Sequence, residues 1–341
     1  MTYRVTLEPS GHSYAAAPHQ TLLQSALDAG LTVPYGCRNG ACGTCKSKVL
    51  AGQVDDGGTA AQALSVEDQA AGITLLCCAK PLSDLTLEVR EVIGREDIPV
   101  RIMPCRVQEL KRVADDVIVM RLKLPANERL QFIAGQYIEF LLPEGKRRAF
   151  SLANAPHQDD LLELHLRLIP GGEFTKLVFT TMKERDILRF EGPLGSFCLH
   201  EDSDRPIIMV AGGTGFAPIK ALIEHALHSR ITRPMAIYWG AKNRAGLYMT
   251  ELPERWAAEH AHIRYVPVLS EPNAADAWNG RTGLIHEAVL EDVADFSPYQ
   301  VYACGAPVMV EAALRDFTAR GLPADQFFAD IFSYAAKKQA T

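Results

Sequence analysis

Residues 35–45 read Tyr35-Gly36-Cys37-Arg38-Asn39-Gly40-Ala41-Cys42-Gly43-Thr44-Cys45. The three cysteines have the spacing C-x4-C-x2-C, and Cys77 follows Cys45 after 31 intervening residues. Thiolates on one short loop converge only if the loop wraps closely around what they bind, with backbone N–H groups turned inward. Glycines at positions 36, 40 and 43 are expected to supply positive φ angles and to remove the Cβ atoms that would block this approach. The loop therefore predicts a metal centre held by cysteine sulfur.

The spacing of these cysteines is that of a plant-type [2Fe-2S] centre. The alternative is a four-thiolate zinc site in a scaffold protein. Zinc sites usually pair two short C-x2–4-C units, whereas here three cysteines share one glycine-rich loop. The spacing favours iron and sulfide, and Arg38 adds positive charge beside an anionic cluster. Because Cys77 and Cys78 are adjacent, the residues alone leave open which of them is the fourth ligand.

The segments around this loop fit a small β-grasp domain. They are a hairpin over residues 2–9 and 12–17, a helix after residue 21 and a strand over 85–89. Thr21 and Gln24 have the spacing of a capping box that starts the helix, and Gly30 is expected to end it. The pattern breaks around residues 93–100, at Gly94, Arg95-Glu96-Asp97 and Pro99, where we expect a linker.

The composition of the whole chain is that of an ordinary folded protein. Its 341 residues suggest two or three domains. Its 48% hydrophobic and 22% charged residues exclude a disordered chain, a coiled coil and a collagen. The formal net charge of -6, without any Lys/Arg run, argues against nucleic acid as a partner. The N-terminus lacks the apolar core of a signal peptide. The sequence also contains no stretch of 18 apolar residues, so it does not predict a segment that spans a membrane. Eight cysteines then favour metal or redox chemistry in the cytoplasm.

The middle third of the chain is predicted to be a small antiparallel barrel. Its alternating strands are Val117–Met120, Tyr137–Phe140 and Leu162–Arg167. A flavin needs a cation for its pyrophosphate, an apolar wall for its ring and a hydroxyl near its reactive nitrogen. Arg148, Phe150 and Ser151 offer these three groups in strand alternation. Residues 172–175 (Gly-Glu-Phe-Thr) are predicted to open a helix whose free N–H groups hold phosphate.

The last third alternates strands with helices, which predicts a parallel sheet. The apolar strand 206–211 runs into Gly212-Gly213-Thr214-Gly215 and then into a helix, so this turn is a candidate phosphate cradle. It is not the G-x-G-x-x-G fingerprint. Further strands end at Gly240-Ala241-Lys242, Ser270-Glu271 and Cys304-Gly305-Ala306-Pro307, where ligands bind in open parallel sheets. Cys304 is the candidate neighbour of a nicotinamide ring.

These motifs stand in one order along the chain: Cys37/Cys42/Cys45/Cys77, Arg148-Ala149-Phe150-Ser151, Gly212-Gly213-Thr214-Gly215 and Cys304-Gly305-Ala306-Pro307-Val308-Met309. The set resembles the bacterial iron–sulfur flavoprotein reductases of the ferredoxin–NAD(P)+ reductase superfamily, which include oxygenase reductase components and CDP-6-deoxy-glucoseen reductase. Residues 239–242 and 268–272 look closest to the glucoseen-reductase branch. The resemblance implies a ferredoxin domain over 1–93, an FAD-binding barrel over 100–202 and an NAD(P)H-binding domain over 205–341.

The resemblance also implies site residues. In plant-type ferredoxins the first of two adjacent positions like 77 and 78 is the ligand, so Cys77 is assigned to the metal and Cys78 is a buried neighbour. The cofactor-binding set for FAD is Arg148, Ala149, Phe150, Ser151, His165, Leu166, Gly172, Glu173, Phe174 and Thr175. The set for the nicotinamide nucleotide is Gly212, Gly213, Thr214, Gly215, Cys304, Gly305 and Met309. Ser151 and Cys304 are the implied catalytic residues.

The implied function is electron transfer. NADH gives a hydride to FAD, and the [2Fe-2S] centre passes single electrons to a protein acceptor, either an oxygenase or hydroxylase or a pyridoxamine-dependent dehydratase. The second hypothesis is a redox sensor that holds the same cofactors with negligible turnover. NADPH is less favoured than NADH, although Lys242 and Arg244 offer cations for a 2′-phosphate. Phe150 stands where many relatives have Tyr, and Asp330-Ile331-Phe332 is the candidate for the family's acidic or aromatic residue near the flavin.

Overall fold

The computed structural model describes residues 2–31, 33–58, 63–89 and 98–332. The described chain forms two units. The first contains the described part of residues 1–99 together with 195–197, 331 and 332, and the second contains 100–194 and 198–330. Residues 93–97 of the predicted linker lie outside the described ranges. Among the described helices, none combines the length and the apolar character that a membrane span needs.

The first unit is built on a mixed five-stranded sheet, in the order β2-β1-β7-β3-β5, with a two-stranded β4-β6 ribbon. Its elements are β1 (Tyr3–Glu8), β2 (Ser13–Ala16), α1 (Leu22–Asp28), β3 (Lys46–Ala51), β4 (Val54–Asp55), α2 (Val66–Ala70), β5 (Ile73–Leu75), β6 (Lys80–Pro81) and β7 (Leu85–Glu88). The predicted hairpin is confirmed, since β1 and β2 pair antiparallel, and the predicted last strand β7 pairs parallel to β1. The cysteine loop lies between α1 and β3.

The cap of helix α1 follows the prediction only in part. Thr21 is the N-cap, and its side chain accepts from the N–H of Gln24 at 3.3 Å. The side chain of Gln24 instead donates to Asp28 at 2.7 Å and accepts from Arg38 at 3.0 Å. The reciprocal bond of a capping box is therefore not formed, because a cation from the cysteine loop competes for the amide. Gly30 follows the helix with φ +79°, as a helix-terminating glycine does.

The second unit begins with an antiparallel sheet in the order β11-β10-β13-β8-β9-β12. Its elements are β8 (Arg101–Ala114), β9 (Val117–Lys123), β10 (Tyr137–Leu141), β11 (Arg147–Ser151), β12 (Leu162–Arg167), α3 (Glu173–Thr180) and β13 (Ile187–Leu194). An antiparallel bridge between Leu152 and Leu164 brings the two edge strands together, which closes the predicted barrel. Helix α3 starts after Gly172, as predicted.

The rest of the second unit is a six-stranded sheet, in the order β17-β16-β15-β14-β18-β19. Its elements are β14 (Ile207–Gly212), α4 (Phe216–His228), β15 (Met235–Ala241), α5 (Glu251–Glu259), β16 (Ile263–Leu269), β17 (Arg281–Thr282), α6 (Ile285–Asp292), β18 (Gln300–Gly305), α7 (Pro307–Thr318) and β19 (Phe327–Ile331). Strands β14, β15, β16 and β18 are parallel, which confirms the prediction from strand–helix alternation. The carboxyl ends of β14 and β18 therefore meet, with residue 211 opposite residue 304.

Candidate functional site

The cysteine loop of the first unit brings thiols and backbone donors together. The N–H of Cys37 points at Cys42 Sγ over 3.4 Å, and the N–H of Cys42 points at Cys37 Sγ over 3.3 Å. Gly40 and Gly43 have φ angles of 81° and 74°, in the left-handed region that the sequence predicts for them. Two backbone N–H groups of the loop therefore point at sulfur atoms, an arrangement that suits an anionic cluster.

Two observations test whether this loop fits a [2Fe-2S] cluster. The expectation of a positive φ at Gly36 is wrong, but a Cβ there would lie 3.2 Å from Cys42 Sγ, so a side chain would intrude on the sulfur ligands. Hydrogen bonding with Cys37, together with burial, raises the pKa of the Cys42 thiol. Crowded thiols of this kind lose their protons readily only when a metal compensates the charge. The donor set fits a group that needs cysteine thiolates.

Cys77 and Cys78 occupy different positions relative to the loop. The thiol of Cys77 is in hydrogen-bonding contact with both Cys37 and Cys45. The contact with Cys37 lowers the pKa of Cys77, but the contact with Cys45 and burial raise it, and the net shift is upward. The Sγ of Cys78 lies 3.8 Å from that of Cys77. The contacts of Cys77 with two loop cysteines support it as the fourth ligand.

Strand β11 of the second unit carries the predicted flavin motif. Phe150 is half-buried, and its ring centroid lies 5.9 Å from that of Phe140 and 5.6 Å from that of Phe174. Arg148 is half-buried, and its Nη1 donates to Arg147 O at 2.7 Å. Ala149 lies exposed between them. The half-buried Phe150 ring thus packs on two rings of the apolar barrel core, one of them from helix α3, which the motif by itself does not reveal.

The start of helix α3 is shaped by Gly172. A Cβ there would lie 2.7 Å from Thr175 Oγ1 and 3.1 Å from Ile169 O. Thr175 is buried and accepts from the N–H of Ile169 at 3.2 Å, while Glu173 is exposed and pairs with Lys146 at 2.9 Å. The first N–H groups of a helix lack partners within the helix, so the backbone of this turn stays the candidate phosphate site.

His165 and Leu166 on strand β12 are buried, and their side chains are occupied. Leu166 belongs to the apolar core of the barrel. The His165 ring lies between Glu163 at 3.2 Å and the Tyr248 hydroxyl at 2.8 Å. Any contact of these two residues with a flavin is therefore left to their backbone atoms.

Three predicted residues meet at one carboxyl oxygen of the second unit. Ser151 Oγ donates to Asp330 Oδ2 at 2.7 Å, and Cys304 Sγ lies 3.8 Å from the same oxygen. Ser151 comes from the end of β11, Cys304 from β18 and Asp330 from β19. The structure thus joins a hydroxyl of the barrel to a thiol and a carboxyl of the parallel sheet. Burial raises the pKa of Asp330 to about 6, although the bonds from Ser151 and Cys304 oppose the shift.

This carboxyl predicts a pH-dependent stability. Between its unfolded and folded pKa values the folded chain keeps a proton that the unfolded chain has lost, so stability falls as the pH rises and levels off above about 6. Relative to Asp330→Asn, the wild-type protein should lose about 1 kcal/mol of unfolding free energy between roughly pH 5 and pH 7.5. Denaturant titrations of both proteins across this range measure the effect. Ser151→Ala removes a donor that stabilises the ionised Asp330 carboxylate, so this variant should lose stability more steeply with pH. Parallel pH profiles for wild type and Asp330→Asn would contradict the prediction.

The loop after β14 is packed against the end of β18. A Cβ at Gly215 would lie 2.2 Å from Cys304 O, and one at Gly212 would lie 2.6 Å from Met309 Sδ. Gly305, with φ +148°, would place a Cβ 3.1 Å from Met309 Cε. The predicted Gly212–Gly215 and Cys304–Met309 motifs therefore form one surface at the carboxyl edge of the sheet, and Thr214 is buried within it.

Sequence reasoning missed Arg167, the last residue of β12. A Cβ at Gly213 would lie 3.3 Å from Arg167 Cζ, so the guanidinium lies against the glycine loop. Its Nε and Nη2 are buried without a hydrogen-bond partner among the described residues, and Asp116 lies 3.5 Å from Nε. The available signal was a basic residue at the end of an otherwise buried strand.

The two cations that could bind a 2′-phosphate already have partners. Lys242 Nζ lies 3.1 Å from Glu271 Oε1, and both residues are exposed. Arg244 Nη1 donates to Asp276 O at 3.2 Å, and its backbone N–H donates to Asp276 Oδ1 at 3.0 Å. An acidic residue, Glu271 or Asp276, therefore accompanies each of these two cations.

Three sequence families match this chain in succession. They are described as a 2Fe-2S iron-sulfur cluster binding domain over residues 5–82, an oxidoreductase FAD-binding domain over 104–198 and an oxidoreductase NAD-binding domain over 209–315. Each range contains the corresponding candidate site.

Whole proteins are similar to the chain over nearly its full length. CDP-6-deoxy-L-threo-D-glycero-4-hexulose-3-dehydrase reductase of Yersinia pseudotuberculosis is 39% identical, covering 97% of this chain and 99% of the relative. Reductase component 1 of terephthalate 1,2-dioxygenase from Comamonas is 33% identical, covering 98% of both. The crystal structure of Amycolatopsis cytochrome P450 reductase GcoB is 36% identical with a TM-score of 0.80, covering 98% of this chain and 100% of that one.

Proposed function

We propose that this chain, which belongs to the iron–sulfur flavoprotein reductases of the ferredoxin–NAD(P)+ reductase superfamily, takes its electrons from NADH in particular and delivers them to a dehydratase or oxygenase partner. The three domain families and the relatives matched over almost the whole chain establish the membership. The chain is accordingly an NAD(P)H-dependent oxidoreductase that transfers electrons. The observation that carries the preference for NADH is the carboxylate of Glu271, which follows strand β16 and pairs with Lys242.

Each cofactor has a proposed set of residues. Cys37, Cys42, Cys45 and Cys77 hold the [2Fe-2S] cluster. Residues 148–151, 165–166 and 172–175 hold FAD, and residues 212–215, 304–305 and 309 hold the nicotinamide nucleotide. When bound, the flavin accepts a hydride and the cluster accepts single electrons. Arg167 is proposed as a further cation for a dinucleotide pyrophosphate, because its buried guanidinium atoms lie beside Gly213 with unused donors.

Ser151 and Cys304 are proposed as the catalytic contact residues, with Asp330 as the positioning residue that holds both. The Asp330 carboxyl accepts a hydrogen bond from the Ser151 hydroxyl, with 2.7 Å between Oγ and Oδ2, and this bond directs the hydroxyl. Cys304 is buried, and burial together with the charge of Asp330 raises the pKa of its thiol. It therefore keeps its proton and presents a small neutral group. The Ser151 and Cys304 side chains orient the reacting rings and exclude water without themselves changing charge.

The preference for NADH rests on Glu271. Its carboxylate lies 3.1 Å from Lys242, neutralises that cation and would repel a 2′-phosphate, whereas the hydroxyls of an unmodified ribose can donate to it. Glu271→Gln should therefore shift the ratio of kcat/KM for NADPH over NADH upward by about fivefold, a modest factor because the ion pair is exposed. Glu259→Gln, an exposed carboxylate at the end of α5, is the matched control. A wild-type preference for NADPH would overturn the proposal.

The partner is proposed from the relatives. Two of them are named as reductases of a CDP-hexulose dehydrase and of a dioxygenase, so the acceptor is expected to be a pyridoxamine-dependent dehydratase or an oxygenase component. Domain boundaries at 1–93, 100–202 and 205–341 are proposed with support from the matched ranges. Eight cysteines, four of them proposed as cluster ligands, support a reducing, cytoplasmic location.

A further inference from the structure

A chain of contacts links barrel strand β12 to the glycine loop of the parallel sheet. Glu163 Oε1 lies 3.2 Å from His165 Nε2, and His165 Nδ1 lies 2.8 Å from the Tyr248 hydroxyl. The Tyr248 ring meets the Trp239 ring edge-on, with centroids 5.2 Å apart. Trp239 Nε1 in turn donates to Gly213 O at 2.9 Å. The four side chains of Glu163, His165, Tyr248 and Trp239 are called the relay below.

The hydrogen bonds of the relay start from the carboxylate of Glu163. Burial alone would raise the pKa of Glu163, but hydrogen bonds from His165 and Arg121 and the charge of Lys220 outweigh it and hold the pKa well below its usual range. An ionised carboxylate only accepts, so His165 Nε2 carries the proton. Burial lowers the pKa of His165, which leaves Nδ1 as an acceptor. The Tyr248 hydroxyl therefore donates to Nδ1, and this bond fixes the direction of the tyrosine side chain.

The indole of Trp239 is held from two sides. Its ring is fully buried and stacks on Phe216, the first residue of α4, with centroids 3.9 Å apart and planes 9° apart. The Tyr248 ring makes the second contact with the indole, edge-on. The indole N–H therefore points at one acceptor, Gly213 O, in a residue whose φ is +55°. Glycine adopts left-handed and right-handed backbone conformations at similar energy. The bond from Trp239 therefore selects the left-handed conformation of Gly213 and with it the shape of the loop.

Lys220 of helix α4 ties the start of the relay to the same loop. Its Nζ lies 3.2 Å from Glu163 Oε1 and donates to Ala153 O at 3.0 Å. The acidic end of the relay is thus fixed by the helix that follows the glycine loop. A shift of strand β12 relative to that helix would therefore disturb both the Glu163–Lys220 ion pair and the contacts that lead from Glu163 to Gly213.

We propose that the relay is a positioning device, through which strand β12 of the flavin barrel sets the conformation of Gly213 and thereby the affinity of the loop for the diphosphate of a pyridine dinucleotide. This inference rests on the proposed function of residues 212–215. His165 then serves nucleotide binding through its side chain, beyond any backbone contact with the flavin. Removing the Tyr248 hydroxyl leaves a buried acceptor on His165 unpaired and frees the indole to turn.

The test measures binding of ADP-ribose, which carries the diphosphate without the redox ring, to the full holoprotein by calorimetry. Tyr248→Phe should weaken binding about five- to tenfold and raise KM for NADH by a similar factor, with kcat and flavin content unchanged. His165→Leu, a substitution in the barrel only, should weaken ADP-ribose binding in the same way. Tyr265→Phe is the matched control, because it removes a tyrosine hydroxyl that lies 3.1 Å from Thr250 in the same unit.

A double-mutant cycle separates the relay from general destabilisation. Trp239→Phe removes the donor to Gly213, so adding Tyr248→Phe to it should cost little further affinity. Full additivity of the two substitutions would overturn the proposal, as would a Tyr248→Phe effect no larger than that of Tyr265→Phe. Failure of the wild-type protein to bind ADP-ribose would instead refute the proposed function of the loop, so the two failures are distinguishable.

Discussion

Cys45→Ser should abolish the visible absorption of the iron–sulfur cluster and lower NADH-driven reduction of cytochrome c, a one-electron acceptor, by about 100-fold or more. Cys45 is buried and in contact with Cys77. A serine hydroxyl holds its proton far more tightly than a thiol does, so it does not replace the thiolate that iron requires. Reduction of a two-electron dye by NADH should persist within about twofold, because it needs only the residues of the second unit.

Three further cysteine variants make this experiment selective. Cys105→Ser, at a buried thiol of the barrel core, should leave both activities intact. Cys77→Ser should behave like Cys45→Ser, whereas Cys78→Ser should retain the cluster. Loss of the cluster in Cys78→Ser but not in Cys77→Ser would reverse the ligand assignment. Loss of dye reduction in Cys45→Ser, with FAD bound and the fold intact, would refute the proposed electron route.

Gly215→Ala should reduce the affinity for ADP-ribose by about 100-fold or more, because its Cβ would collide with backbone. The new atom would lie 2.2 Å from Cys304 O and 2.6 Å from Cys304 C, and neither can rotate away as a side chain does. The loop and the end of β18 must therefore separate, which also displaces the Cys304 thiol from Asp330. Calorimetry with ADP-ribose and the KM for NADH measure the loss, and the spectrum of the cluster should be unchanged.

Gly212→Ala is the graded control for this substitution. Its Cβ would lie 2.6 Å from Met309 Sδ, a flexible side chain, so the neighbour can move and the loss should be about tenfold or less. Adding Met309→Ala should restore most of the affinity, whereas no side-chain truncation should rescue Gly215→Ala. Wild-type affinity in Gly215→Ala would show that the contact between β18 and the loop does not shape the nucleotide site.

Local features of the sequence predicted most of the secondary structure. The apolar run before Gly212 predicts a buried strand because it is short and is followed by a glycine-rich turn, and that turn predicts helix α4 because helical periodicity starts directly after it. The cysteine spacing predicts the metal loop because neighbouring ligands must reach one centre. The capping box at Thr21 failed because Arg38, which is distant in sequence, competes for Gln24.

The amino-acid pattern specifies the secondary-structure elements, the order of the three sites and the residues that lie close together along the chain, because spacing constrains only short segments. The folded chain brings Ser151 and Cys304 to Asp330, places Arg167 on Gly213 and connects His165 to the loop through Tyr248 and Trp239. These contacts join residues that are tens to well over a hundred positions apart. Their partners are chosen by how the barrel packs on the parallel sheet, and no local pattern encodes that packing.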